Sequence, residues 1–593
     1  AGVTATIASR ILATSGDVSY SAFSKAGGGN LILSSPNNTM APGKIVLNGG
    51  GTVTISGYTT NQGQSGAQTS KFLVGNYSAN NIVNVSGRLT TDTIRLGEGT
   101  FGGNSLNIMG IGTDGSPTVS GSGSNISWVV GGNSSNNSLT VFTGAVLKTT
   151  RGNGGNTFKI GDGVGGTGNT VTVTGAGARW WGSLPVSVGN GGSNNFVTVS
   201  DGGYMNMARL YVGSDSNLAS SNNAVLITDL GSVFRTDVDT NYALFQVAGG
   251  ANSLNNSFTV ANGATALIAG TNPARPNSIG ANAGCNNNYA KITGVGSLLT
   301  ISIPTPFTVG GFDYNNNTRI DSNASGNHLD IYGGALLNAK TLELMGVNSA
   351  FNLGDGTGLS VATVAKSGNY APGVILSNAD SRLNFNSGNL IAGLDGALVS
   401  GLGQIVLNGP AIVTTPFAGS TISNAISGSG TFTKEGSGTL ALSQPNTSTG
   451  ATIVNAGVLT LDYSTVGGGK LNDNSALILG GGTLNLSSGS HVEIIDSTTL
   501  HAGRSGVSVG TGTPVLHMNA ISPGVGMVNF GAADIASTSN ANDTSGILGA
   551  WATVGGSDWA IRSATLEGSG NYFITAYTGY TDINARGTST IAN

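Results

Sequence analysis

The sequence predicts an all-β protein whose short strands stack as the coils of a β-solenoid. Three observations predict this fold: a five-residue pattern that recurs nine times, short alternating apolar runs, and very few charged residues. Five residues are too few for a helix, and apolar residues two apart share one face of an extended strand. One such strand cannot bury its apolar face alone, so we expect successive repeats to stack on one another.

The recurring pattern is an asparagine followed by apolar residues two and four positions later, and its copies are 23 to 39 residues apart. Asparagine tolerates the left-handed backbone and bonds its own main chain, so it suits the corner before a strand. Stacked in register, such side chains form a ladder in which amides bond along the stack. An ordinary β-sandwich with recurring hairpins is the alternative. The copies begin at Asn81, Asn104, Asn137, Asn169, Asn195, Asn223, Asn256, Asn288 and Asn327.

The composition indicates an ordered, turn-rich chain. Charged residues make up 8% of the 593 residues, against about 25% in average globular proteins. Cys285 is the only cysteine, so disulfides and cysteine-built metal sites within the chain are excluded. We interpret Cys285 as a small residue of a turn or of the core. The alternative, a reactive thiol, needs a partner base that the sequence does not suggest.

Charge and hydropathy limit the partners. A net charge of −4 and a pI near 5.5 give no basic footprint, so we expect no nucleic-acid partner. No apolar run approaches the roughly 20 residues of a membrane helix, so we expect no membrane-spanning segment. The first residues lack the charged and apolar regions of a signal peptide, which in a secreted protein would already have been removed.

Changes of pattern predict four regions along the chain. Residues 1–70 are the opening coils or cap, residues 71–346 hold the asparagine-anchored repeats, and residues 347–540 continue the solenoid more loosely. Residues 541–593 form an aromatic-rich β module or cap. An aliphatic residue followed by Gly alternates with the asparagine pattern, so each repeat supplies at least two strands. This second piece occurs at Val74-Gly75, Val130-Gly131, Ile160-Gly161, Val188-Gly189, Val212-Gly213, Ile279-Gly280 and Val309-Gly310.

Residues 428–461 contain the motif that suggests a family. The residues that carry it are Gly430, Lys434, Gly436, Gly438, Leu440, Leu442, Asn446, Thr447, Gly450, Thr452, Val454, Gly457 and Leu459. This stretch resembles the autotransporter-associated β-strand repeat of bacterial passenger domains. The resemblance implies a right-handed parallel β-helix, secreted by a Gram-negative-type bacterium and displayed outside the cell.

Residues that could carry chemistry are sparse. Polysaccharide-cleaving enzymes on this kind of fold need clustered carboxylates, or a basic residue beside calcium-binding acids. The best local pair, Asp237 and Asp239, lies on one strand face, and we interpret both as exposed polar positions. No Cys or acidic helix accompanies the dispersed histidines, so we predict no metal site. These histidines are His328, His491, His501 and His517. We therefore predict no catalytic, cofactor-binding or metal-binding residue.

Two groups of aromatic residues are candidates for a contact surface. Trp180 and Trp181 are adjacent, so on a strand one faces inward and the other outward. The outward ring is predicted either to stack on a sugar or a neighbouring chain, or to pack against a protruding loop. The second group either plugs the open end of the core or forms an interface. Its members are Trp551, Trp559, Tyr572, Tyr577 and Tyr580.

These observations favour a secreted structural protein of the cell surface or extracellular matrix, a β-solenoid rod that self-associates into fibres or a coat. A monomeric adhesin or glycan-binding passenger domain is the alternative, with extracellular polysaccharide or a host or neighbouring cell surface as its partner. A polysaccharide-cleaving enzyme is a third hypothesis.

Overall fold

The computed structural model describes residues 2–11, 21–39, 44–61, 71–110, 119–121, 128–150, 157–213, 218–238, 243–270, 277–313, 318–319, 324–365, 372–393 and 395–580. The regular structure of these residues is β-strand, and nearly all strand pairs are parallel. The predicted parallel β-helix is confirmed. The chain forms two compact units: the first is Ala1–Leu394 with Leu398–Val406, and the second is Asp395–Ala397 with Leu407–Asn593.

The first unit is built of coils, each of which adds one strand to each of three columns. The first column contains Thr4–Ile7, Asn30–Leu33, Thr52–Ile55, Ile82–Val85, Ser105–Ile108, Ser138–Val141, Thr170–Thr174, Phe196–Ser200, Ala224–Thr228, Ser257–Ala261, Tyr289–Thr293, His328–Tyr332, Ala350–Leu353, Arg382–Phe385 and Gln404–Leu407.

The second column contains Asn38–Thr39, Tyr58–Asn61, Arg88–Thr91, Val119–Gly121, Val146–Thr149, Val233–Arg235, Thr265–Ala269, Leu298–Ser302, Leu336–Ala339, Ser360–Val364 and Gly388–Ala392. The third contains Ser21–Lys25, Lys44–Leu47, Lys71–Val74, Thr93–Glu98, Trp128–Gly132, Phe158–Asp162, Leu244–Val247, Ser278–Ile279, Phe307–Val309, Leu342–Leu344, Val374–Leu376 and Gly396–Gly401.

Two long strands, Arg179–Asn190 and Tyr204–Val212, run through both the second and the third column. Their shared register shifts between Gly182 and Pro185, which marks the bend from one column to the next. A short antiparallel pair, Phe312–Asp313 with Thr318–Arg319, lies apart from the columns.

Alternation of side chains explains the first two columns. Strand Ser138–Val141 alternates half-buried and buried residues, because Leu139 and Val141 point inward. The third column differs, since strands such as Leu244–Val247 and Phe307–Val309 are buried along their whole length.

Apolar side chains of successive coils fill the interior. The ring centroid of Phe158 lies 5.7 Å from that of Trp128 and 4.7 Å from that of Trp180, which are spacings of favourable aromatic contacts. A second aromatic group joins Phe234, Phe245, Phe258 and Phe307 in the same way. These rings come from successive coils, so the aromatic contacts link one coil to the next.

The second unit is also a stack of parallel strands. One column contains Ala411–Thr414, Phe432–Glu435, Thr452–Val454, Ala476–Leu479, Ser497–Leu500 and Ala520–Ser522. Another contains Ser420–Ile422, Thr439–Leu442, Val458–Asp462, Thr483–Ser487, Arg504–Val509, Met527–Phe530 and Ala552–Val554. Further strands are Ile426–Gly428, Val492–Ile494, Val515–His517 and Ala536–Thr538.

A β-hairpin follows the last coils of the second unit. Its strands, Asp558–Gly568 and Asn571–Ala576, are antiparallel to each other, and Asn571–Ala576 also pairs antiparallel with Ala536–Thr538. The hairpin therefore covers a strand edge that would otherwise be open.

Candidate functional site

Nine asparagines form a hydrogen-bonded column at the corner that precedes the first strand column, and we call this column the asparagine ladder. It runs from Asn81 to Asn327 through the nine positions of the recurring sequence pattern. In the first eight, Nδ2 donates to Oδ1 of the asparagine in the next coil, at 2.7 to 3.1 Å. The main-chain N–H of each of these eight donates to the same oxygen, at 2.8 to 3.1 Å.

The ladder satisfies its buried amides without any charge. All nine side chains are at most 2% exposed. Asn195 shows the pattern: its Oδ1 accepts two bonds from Asn169, and its Nδ2 donates to Asn223 and to the Gly166 carbonyl. A carboxamide offers two donor hydrogens and two acceptor lone pairs, so this arrangement uses its full capacity. The ladder is therefore a fully paired neutral network, in which a lost member leaves unpaired groups in its neighbours.

The left-handed backbone belongs to the residue before each ladder asparagine, which corrects the expectation that one asparagine serves both purposes. Asn194 has φ 58° and Asn222 has φ 56°, whereas Asn195 and Asn223 are not in this region. In the remaining seven coils the same position is occupied by Asn80, Gly103, Asn136, Gly168, Asn255, Asn287 and Gly326, all with positive φ. Asparagine and glycine are the residues that adopt this conformation at least cost.

The second sequence pattern, an aliphatic residue followed by Gly, makes room for the ladder. Gly189 has φ 84°, and a Cβ on it would lie closer than 3 Å to the Asn223 amide. A Cβ would crowd a ladder asparagine in the same way at Gly75, Gly131, Gly161 and Gly280. Two further copies, Leu96-Gly97 and Val247-Ala248, were not predicted from the sequence. In the second of these, Ala248 takes the place of glycine and itself adopts φ 60°.

The ladder ends where the corner becomes shorter. Main-chain bonds put Ser349 and Ser381 at the position that follows Asn327 in the stack. Six residues separate Val130 from Asn137, but only four separate Leu344 from Ser349. A Cβ on Gly310 or Gly346 would lie 2.6 Å from Ser349 Oγ, so this tighter corner accommodates only a small side chain.

The structure separates the paired tryptophans. Trp180 is fully buried against Phe158 and takes no part in a surface. Trp181 points outward and is half-buried, and the Lys148 ammonium lies 4.5 Å above the centre of its ring. The contact is between coils, because Lys148 and Trp181 are partners in the strand register.

The C-terminal aromatic residues lie on the hairpin and the turns around it. Trp559 is 38% exposed and Tyr580 is 53% exposed, while Trp551, Tyr572 and Tyr577 are half-buried. The rings of Tyr577 and Tyr580 meet edge to face at 5.1 Å, and Tyr580 Oη accepts the main-chain N–H of Trp559. The buried residues of the hairpin and of the turns around it include Leu548, Ala560, Asn571 and Ile574.

One member of the candidate acidic pair, Asp237, is engaged in an ion pair. Arg235 Nε lies 2.9 Å from Asp237 Oδ2, and the hydrogen bond from Arg235 holds the pKa of the Asp237 carboxyl below its usual value. Asn206 also donates to Asp237, at 2.9 Å. Asp239 lies outside the described residues.

The histidines occupy separate places. His328 Nδ1 is 2.8 Å from Asp330 and its ring stacks on Tyr289, while His517 Nδ1 is 3.0 Å from Glu567. His501 is exposed, and His491 lies 3.8 Å from Glu493. Across the described ranges, no group of three or more His, Cys, Asp or Glu side chains is placed to hold a metal ion.

Cys285 is buried, and its Sγ donates to the Gly250 carbonyl at 3.0 Å. Burial raises the pKa of the Cys285 thiol, which keeps it protonated at neutral pH. The thiol therefore packs as a small buried residue within the stack.

The second unit buries charged side chains, and one of them, Glu493, was not among the candidate residues predicted from the sequence. Glu493 is fully buried and accepts hydrogen bonds from Tyr463 Oη at 2.6 Å and from the main-chain N–H groups of Lys470 and Leu471. Burial raises the pKa of the Glu493 carboxyl, and these hydrogen bonds oppose the increase. These contacts tie two successive coils together.

Lys434 is a second buried charge. Its Nζ donates to the carbonyls of Glu435 and Gly436 at 2.8 Å and to that of Ala456 at 3.1 Å. Burial lowers the pKa of the Lys434 ammonium to about 8. The side chain therefore bridges its own corner and the corner of the next coil.

Comparison with known families gives one match. The family model of the passenger-associated-transport-repeat matches residues 23–55 and 432–461. The chain carries this repeat. The predicted resemblance at residues 428–461 is confirmed, and the repeat indicates an autotransporter passenger domain with a secreted or cell-surface location in a Gram-negative bacterium. No curated protein and no solved structure matches the chain.

The two copies of the passenger repeat share an asparagine contact. In the first copy, Asn38 Oδ1 accepts the main-chain N–H of Ile11 at 3.0 Å. In the second, Asn446 Oδ1 accepts the N–H of Ile426 at 2.7 Å, and Asn446 Nδ2 donates to the Lys470 carbonyl. The copy at 23–55 was not recognised from the sequence, although Lys25 and Lys434 both stand two residues after a Phe and two before a Gly. Among the described residues, no helix is long and apolar enough to cross a membrane.

Proposed function

We propose that this chain is a structural passenger, a β-solenoid scaffold of the bacterial surface or extracellular matrix that self-associates into fibres or a coat. The observation that carries this proposal is the asparagine ladder. It joins nine coils through neutral side chains, so the stack is held together without groups that titrate near neutral pH. A neutral ladder of this kind favours a scaffold whose shape does not change with pH.

The ionisable side chains of the described residues that are paired with one another favour a structural role over a catalytic one. Asp237 is paired with Arg235, and His517 with Glu567. Each of these pairs also joins chain segments of one unit, because Asp237 bonds Asn206 and Glu567 bonds Ser537. Outward positions of the first column are mostly uncharged and in register, as with Thr140, Thr172 and Thr198. We therefore assign no reaction to this chain.

Exposed apolar residues support self-association. Leu230 is 84% exposed and Val295 is 83% exposed, and both stand at the turn between the first and second columns. A Cβ on Gly263 would lie about 3.5 Å from Leu230, and one on Gly296 would lie 3.5 Å from Gly263, so these turns stack on one another. Apolar residues on one ridge offer a surface that association can bury.

Electron microscopy and sedimentation velocity test the proposal on the full chain. We expect filaments or lateral assemblies that grow with protein concentration. The double variant Leu230→Asp, Val295→Asp is expected to shift the material toward single particles. The control is Val164→Asp, because Val164 is 86% exposed but stands at a different corner. Single particles at every concentration in the unmodified protein would contradict the proposal.

A further inference from the structure

The outward side of the second column carries a group of residues that the passenger role does not use. Lys148, Trp181 and Asn206 follow one another in the strand register, and Arg179 and Tyr204 are register partners two positions earlier on the same strands. We call these five residues the Trp181 face. Arg179 is exposed and the other four are half-buried, so all five reach the surface. At roughly 4.8 Å per coil, the face is on the order of 10 Å long.

Two cations of the Trp181 face lie on aromatic rings. Lys148 Nζ is 4.5 Å from the centre of the Trp181 ring, and Arg179 Cζ is 5.6 Å from the centre of the Tyr204 ring. These contacts hold the two cationic groups near the rings and leave their charges unneutralised. In the part of the chain that the structure describes, neither cation forms an ion pair with a carboxylate.

The neighbouring carboxylate does not cancel this charge. Asp237 accepts hydrogen bonds from Nε and from a terminal nitrogen of Arg235. The charges of Asp237 and Arg235 therefore neutralise each other. Asn206 donates to Asp237 at 2.9 Å and to Tyr204 Oη at 3.1 Å, which fixes the amide and the phenol on the surface. The face therefore presents two net positive charges, two aromatic rings and a phenol oxygen.

We propose that the Trp181 face binds an acidic polysaccharide, a chain of sugars that carry carboxylate or sulfate groups. The two free cations match the charges of such a chain, and the rings offer apolar surface to the C–H faces of its sugars. The Tyr204 hydroxyl, held in place by Asn206 Nδ2, supplies a hydrogen-bonding group for a sugar hydroxyl. The inference goes beyond the scaffold role and does not rest on self-association.

The test measures binding of the full chain to immobilised polygalacturonate and dextran sulfate, with neutral dextran as the reference. We expect binding to both acidic polymers that weakens steeply with added salt, because exposed charges are screened. The double variant Lys148→Gln, Arg179→Gln is expected to lose at least tenfold in affinity, and Trp181→Ala about fivefold. Hydrogen exchange of peptides from residues 138–212 verifies that the variants keep the coils folded.

The matched control is Lys291→Gln. Lys291 Nζ lies 5.4 Å from the centre of the Tyr332 ring, which is the same kind of contact on the first column. We expect this variant to bind acidic polymers as the unmodified protein does. The proposal is overturned if neither acidic polymer binds, if neutral dextran binds equally well, or if Lys291→Gln weakens binding as much as the double variant. Equal affinity for a double-stranded DNA fragment would also overturn it, since it would show attraction to any polyanion.

Discussion

The two units place polar groups inside a stack of coils in different ways. The first unit uses carboxamides: Asn195 and its eight counterparts are buried, uncharged and fully paired. The second unit buries Lys434 and Glu493 in hydrogen-bonded networks, and single ionisable side chains are also buried in the first unit, as at Asp330 and Glu343. Removing a charge from water costs free energy that its partners must offset, whereas a neutral amide incurs a smaller cost. We infer that the asparagine ladder tolerates pH change but not loss of a member, whereas the networks around Lys434 and Glu493 respond to pH.

Replacement of Glu493 is expected to have the largest effect. Glu493→Ala removes the acceptor for Tyr463 Oη and for two main-chain N–H groups, which remain buried. Breaking such a network costs about 4 kcal/mol. Urea titration followed by hydrogen exchange of peptides from residues 458–500 measures the loss. Glu493→Gln retains one acceptor oxygen and should lose less. A loss below about 1 kcal/mol in Glu493→Ala would contradict this account of the second unit.

Alanine substitution of two glycines with similar φ distinguishes the cost of backbone strain from the cost of crowding the ladder. Gly189 and Gly202 have φ 84° and 82°, but only Gly189 would place a Cβ closer than 3 Å to a ladder amide. Gly202→Ala should cost about 1 kcal/mol, the strain of a left-handed alanine. Gly189→Ala should cost about 3 kcal/mol, because the Asn223 amide must also shift. Local exchange free energies measure both variants, and equal costs would show that the ladder does not depend on this glycine.

The pH dependence of the second unit gives a smaller effect. The pKa of Lys434 is about 8 in the folded chain, against 10.5 for an ordinary lysine. Between these values the unfolded chain binds more protons, so stability rises with pH and is lost as pH falls through about 8. Comparison of urea midpoints at pH 7.5 and 10 for the unmodified protein and for Lys434→Met isolates the contribution. Identical pH dependence of the two proteins would refute it.

Sequence reasoning found the ladder positions because the pattern repeats close to each corner. It could not show that Asn194 adopts the left-handed backbone and Asn195 bonds the next coil, since both are asparagines. Nor could it align Lys148 with Trp181 and Asn206, because steps of 33 and 25 residues separate them and coil lengths vary. The burial of Glu493 could not be predicted either. A carboxylate on a short strand is expected to be exposed, and the donors that satisfy Glu493 lie more than 20 residues away in the sequence.

The most direct test of the account replaces two neighbouring asparagines in turn. Asn195→Ala leaves the main-chain N–H of Asn169 and one of its two Nδ2 hydrogens without an acceptor, which should cost about 3 kcal/mol. Asn194→Gly preserves the left-handed corner, with φ 58° in the unmodified chain, and should change stability by less than about 0.5 kcal/mol. Hydrogen exchange of the full chain is predicted to show lost protection around Asn169 and Asn195 in the first variant and none in the second. Equal protection in both variants would contradict the claim that the asparagine ladder holds the coils together.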